Sequence, residues 1–104
     1  MKGSLRVKPV VTVTNLFPEK ALEKLSPHCD LRTNQIKNMP SASDLEKAVS
    51  ESVVIITYLS DKIDSGIIDK GINLKLIANY GAGFNNIDVG HAADKNIWVS
   101  NTPG

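Results

Sequence analysis

The chain has 104 residues, 41% hydrophobic and 22% charged, with a formal net charge of +1. That suits one globular domain with a real core, and no run of about 18 apolar residues offers a membrane-spanning helix. Lys and Arg are scattered and aromatics make up only 5%, which argues against nucleic acid as a partner.

The N-terminus from Met1 to Pro9 is basic but lacks the apolar core of a secretion signal. The lone cysteine, Cys29, excludes an intrachain disulfide and suits a reducing, cytoplasmic setting. Val10 to Thr14 is β-branched throughout and predicts a first strand. Phe17-Pro18 opens a helix, with Pro18 at the tolerated first position and Ala21, Leu22 and Leu25 as its apolar face. Ser26-Pro27 ends that helix, and His28 to Arg32 reads as a short second strand. A polar loop follows over Thr33 to Pro40.

Ser43 to Glu46 has the form of a capping box for a second helix, with Leu45, Ala48 and Val49 as its buried stripe. Val53 to Leu59 is continuously apolar and predicts a strand at the sheet centre. Asp64 caps a third helix, Ile63 and Ile68 sit at hydrophobic-staple spacing, and Gly71 closes it. Leu74 to Tyr80 is mostly apolar and reads as a fourth strand, covered on both faces. Asp88 to Lys95 reads as a fourth helix and Ile97 to Ser100 as a fifth strand with Trp98 in the core.

Strictly alternating strands and helices with short links predict an α/β, doubly wound, five-stranded parallel sheet. The flavodoxin-like order 2-1-3-4-5 is favoured, with ligands at the carboxyl ends of the strands. The chain ends just after a strand, on Thr102-Pro103-Gly104, which reads as a link from a fragment to a further unit.

The stretch between the fourth strand and fourth helix carries the most chemistry. Gly81 and Gly83 allow a sharp turn whose amides are not screened by side chains. Asp88 can cap the helix beyond, and Ile87 and Ala92 can staple it. The expectation is a pocket of backbone donors beside a helix N-terminus, suited to a small anion. The alternative is a tight turn that binds nothing.

Other readings fail on the residues. Gly81-Ala-Gly83-Phe-Asn-Asn86 has two of the three glycines of a dinucleotide fingerprint. Ser100 and Asn101 stand where an acid should hold the ribose. The turn after the first strand lacks the glycine of a flavin-phosphate loop, and a phosphoacceptor aspartate is missing after the third strand. His28 and His91 have no metal-ligand spacing, and Cys29 has no base beside it. Asp61, Lys62 and Asp64 read as loop and cap charges.

Three stretches together carry a resemblance: Leu59 to Asp64, Leu74 to Asp88, and Ile97 to Gly104. They resemble the N-terminal segment of D-isomer-specific 2-hydroxyacid dehydrogenases, most of all glyoxylate/hydroxypyruvate reductase. The resemblance implies that residues 1–104 form a flavodoxin-like substrate-binding (catalytic) domain. A Rossmann domain binding NAD or NADP would follow Gly104, with a hinge just beyond Pro103. It places the amides of Ala82 and Gly83 on the carboxylate of a small 2-oxo or 2-hydroxy acid. Leu59 lines that pocket, and Tyr80 and Gly81 shape its wall. Asn85 departs from the acid often found at its position.

The family's catalytic arginine, glutamate and histidine fall after Gly104. No catalytic, cofactor or metal residue is therefore expected in this chain, and alone it should be inactive. The parent would be a homodimer and the fragment a monomer. Two other classes stay open: a stand-alone small-carboxylate-binding module and a structural interaction domain.

Overall fold

The computed structural model describes residues 8–15, 18–33 and 40–101. The basic N-terminus, Phe17, loop residues 34–39 and the Thr102–Gly104 link lie outside them. In chain order the elements are β1 (Val10–Val13), α1 (Glu19–Leu25), a 3₁₀ turn (Ser26–His28), β2 (Asp30–Thr33) and α2 (Ala42–Glu51). Then come β3 (Val54–Tyr58), α3 (Ser65–Asp69), β4 (Leu76–Tyr80), α4 (Val89–Asp94) and β5 (Trp98–Asn101). All strands are parallel and lie in the order β2-β1-β3-β4-β5, the flavodoxin-like winding that the alternation of elements predicts.

The register sets one face of the sheet against α2, α3 and α4. Thr12 pairs with Ile55, Ile55 with Ile77, and Ile77 with Val99. Ile55 and Ile77 are fully buried there with Leu45 and Val49 of α2, Ile67 and Ile68 of α3, and Ala92 of α4. Each such side chain contributes roughly 1.5–3 kcal/mol by leaving water, so this layer is the main source of stability. After β2 the chain reverses direction across the sheet. Right-handed crossovers therefore put α1 on the opposite face, toward which the buried Val11 and Val13 point.

Several local expectations are corrected. Burial along β4 alternates, with Ile77 and Asn79 buried, Leu76 and Ala78 half-buried and Tyr80 exposed. β3 does the same, with Ile55 and Thr57 buried but Val54, Ile56 and Tyr58 half-buried. Both strands are interior to the sheet, yet each is covered fully on one face. Trp98 is not in the core but 78% exposed: alternation gives the core face to Val99, so Trp98 takes the other, on an edge strand.

The capping box of α2 uses Ser41 and Asp44, not Ser43 and Glu46. The Asp44 amide donates to Ser41 Oγ at 3.1 Å and the Ser41 amide to Asp44 Oδ2 at 3.0 Å. The N-cap Ser41 directly follows Pro40, so the helix starts two residues, about half a turn, earlier than the spacing at Ser43 suggests. Pro18 precedes the first helical residue of α1. His28 belongs to the 3₁₀ turn that Pro27 favours, so β2 begins at Asp30.

Asp64 and Asp88 cap α3 and α4 as expected, accepting from the amides of Ile67 and His91, each at 3.0 Å. Ile63, Ile68, Ile87 and Ala92, the residues at staple spacing, are all buried in one core cluster.

Candidate functional site

β4 delivers the chain to its carboxyl end at Tyr80, where the glycine turn begins. Gly81 has φ 136° and Gly83 φ 89°, values that side-chain-bearing residues rarely adopt. Gly81 also lies under Leu59 at the end of β3: a Cβ there would stand 3.0 Å from the Leu59 side chain. Around Gly83 a Cβ would meet nothing within 4 Å, so that part of the turn faces open space. Ala82 and Gly83 are exposed, and among the described residues neither amide donates to a protein acceptor.

Tyr80 is 42% exposed and meets the Tyr58 ring edge-on, with centroids 5.3 Å apart. Burial first, then Tyr80 and Asp61, push the Tyr58 phenol above its ordinary value. The fold thus brings Leu59, Tyr80, Gly81, Ala82 and Gly83 to one end of β3 and β4.

Beneath the turn lies a polar layer that the sequence does not announce. Thr57 and Asn79 face each other on β3 and β4, both buried. The Thr57 hydroxyl donates to Asn79 Oδ1 at 2.8 Å. Asn79 Nδ2 donates to the Gly83 carbonyl at 3.0 Å and to Asn86 Oδ1 at 2.9 Å. Asn86 Nδ2 in turn reaches Tyr58 O at 2.9 Å, Asp61 O at 2.8 Å and Asn79 Oδ1 at 3.1 Å. The backbone of Asn86 is held as well, with its carbonyl accepting from the Ile63 amide at 2.8 Å.

Asp61 is a second surprise, because it is 2% exposed and not a loop charge. Its Oδ2 accepts from the Thr14 hydroxyl and, at 2.8 Å, from the Tyr58 amide. Its Oδ1 is buried with no partner among the described residues. Asp61 therefore joins the carboxyl ends of β1 and β3, the point where the winding of the sheet reverses.

One part of the anion-pocket expectation is corrected. The turn does not run into the helix, because Phe84 to Asp88 intervene and include a parallel bridge between Ile63 and Ile87. The start of α4 is occupied by the Asp88 carboxylate itself. Any anion at the turn would meet loop amides, not helix amides.

The remaining candidates lie elsewhere. His91 Nε2 is 2.7 Å from Asp69 Oδ1 on the outer surface, and His28 is exposed. Among the described residues no cluster of His, Cys, Asp and Glu could hold a metal ion. The Cys29 thiol is buried and pushed up, first by burial and then by the Asp30 charge, as suits an unreactive core residue. A groove of about 290 Å³ between β1, β2 and α2 is lined by Arg32 and Lys47. Arg32 is already paired with Asp30 and Glu51, each at 3.2 Å, so it offers little free charge.

Residues 10–104 match the sequence profile of the D-isomer specific 2-hydroxyacid dehydrogenase catalytic domain. The chain belongs to that family. A Staphylococcus aureus (strain MRSA252) protein, named for the 2-hydroxyacid dehydrogenases, is 42% identical over 93 residues. The match covers 89% of this chain but 29% of that relative, so the chain spans under a third of its length.

Solved structures agree with this 2-hydroxyacid dehydrogenase fold. A Pyrococcus horikoshii protein superimposes with a TM-score of 0.85 at 28% identity, over 94% of this chain and 28% of the other. The NAD+-bound 3-phosphoglycerate dehydrogenase of Entamoeba histolytica gives 0.77 at 26% identity, over 93% and 33%. Within the described residues no helix of this dehydrogenase domain is long and apolar enough to cross a membrane.

Proposed function

We propose that this chain is the substrate-holding part of an NAD(P)-dependent oxidoreductase that reduces a small 2-oxo acid, such as glyoxylate or hydroxypyruvate, to the D-2-hydroxy acid. The observation that carries the reading is the glycine turn, whose Ala82 and Gly83 amides are exposed and unused by the fold. Two adjacent N–H donors suit one carboxylate, and hydrogen bonds to a charged acceptor are the stronger kind. Leu59 and Tyr80 supply an apolar flank for a short carbon chain. Holding the carboxylate would orient the carbonyl carbon toward a nicotinamide, a positioning contribution to rate.

In this reading the acid–base and cofactor groups belong to a further unit, the parent acts as a homodimer in the cytoplasm, and the 104-residue chain does not oxidise NADH with glyoxylate. Titrating the ¹⁵N-labelled chain with glyoxylate tests the site directly. Saturable shifts centred on Ala82 and Gly83 are expected, and their absence would sink the reading. The exposed Trp98 gives the interaction-domain alternative one observation of its own. A mass that rises with concentration, without carboxylate binding, would favour it.

A further inference from the structure

We infer that Asn79 and Asn86 are positioning residues: they clamp the glycine turn so that its amides point outward before a carboxylate arrives. This rests on the carboxylate reading of the turn. A turn with two glycines in three residues is loose in isolation, since glycine loses the most conformational freedom on ordering. Something must define the direction of the Ala82 and Gly83 amides. One side chain holds the turn's own backbone directly: Asn79, through the Gly83 carbonyl at 3.0 Å.

The placement of Asn79 argues for that role over simple packing. It sits on a strand face whose neighbouring position, Ile77, is core. A carboxamide there is costly unless all its polar groups are paired. It is fully paired: Oδ1 accepts from Thr57 and Asn86, while Nδ2 donates to Gly83 and Asn86. The two amides face each other reciprocally, and Asn86 extends the clamp to the carbonyls of Tyr58 and Asp61. The far side of Asn86 is fastened by the Ile63–Ile87 bridge. Apolar residues would fill this space without reaching Gly83. A fully satisfied polar network instead specifies one geometry, and preorganised donors avoid the ordering cost at binding.

The test uses the ¹⁵N-labelled chain, glyoxylate as the probe, and the variants Asn79→Asp, Thr57→Val and Thr57→Ser. Asn79→Asp removes the donor to Gly83 at nearly constant shape. It is expected to weaken glyoxylate about tenfold or more, the loss of one to two good hydrogen bonds. Its unliganded Gly83 and Ala82 amide signals should broaden or move, while those of Ile55 and Ile77 stay in place. Thr57→Val should weaken binding about threefold, and Thr57→Ser, which keeps the hydroxyl, should restore it.

Equal affinity in folded Asn79→Asp and wild type would overturn the inference. If Asn79→Asp does not fold, the Thr57 pair decides, and equal binding by Val and Ser overturns it. If the wild type ignores glyoxylate, the carboxylate reading itself fails. The unliganded Gly83 signal then still separates a clamped turn, perturbed in Thr57→Val, from an unclamped one.

Discussion

Gly81 and Gly83 are both glycine for reasons of backbone angle, but their surroundings differ. Gly83 opens on space, so alanine there meets only the left-handed backbone penalty of about 1–2 kcal/mol. At Gly81 alanine adds a contact 3.0 Å from Leu59, and the combined cost should reach roughly 2–4 kcal/mol. Urea denaturation should therefore find Gly81→Ala clearly less stable than Gly83→Ala, and equal stabilities would contradict the packing of Leu59 on the turn. The glycines were legible because few residues tolerate such angles. Asn79 and Asn86 were not, because an amide looks like a loop residue until its partners are known. A usable signal existed: Asn79 stands two places from Ile77 on an apolar strand, hence on the core face. Asp61 escaped for a similar reason, since burial of a loop aspartate depends on Thr14, 47 residues away in sequence.

Short helices depend on their caps, because few turns leave little else to hold them. Asp64, Asp88 and Ser41 each satisfy an amide that would otherwise be orphaned. The Ser41–Asp44 box also links α2 to pH. Asp44 lies below its ordinary 3.8, chiefly through the Ser41 amide and then the Ser41 hydroxyl. Since its folded-state pKa is depressed, its contribution is present above the ordinary value and is lost as pH falls through the folded one. Melting temperatures recorded from about pH 5 down to about pH 2 should fall more steeply in the wild type than in Asp44→Asn. Parallel curves would mean that the box adds nothing in solution. The spacing at Ser43 misleads by half a turn because Ser41 and Ser43 each have an acid three residues on, and both fit the pattern of a box.

Across the whole molecule, stability is expected to reside in the layer between the sheet and α2 to α4. Ile77→Ala should cost about 2–5 kcal/mol, whereas Trp98→Ser should stay within about 0.5 kcal/mol, both read from denaturant midpoints. Trp98 is the sole tryptophan, so its emission should already be that of an exposed indole and should hardly shift on unfolding. A large red shift would place it in a buried setting. Alternation of strand and helix, the staples, the two glycines and the family-bearing stretches are all local, short-range patterns, and the sequence by itself determined the winding and the place of the turn. Three features were decided only by the tertiary structure: which face of β3 is covered, that Trp98 points outward, and that Thr57, Asn79, Asn86 and Asp61 meet beneath the turn. Each depends on register between strands distant in sequence, where a shift of one residue exchanges the two faces.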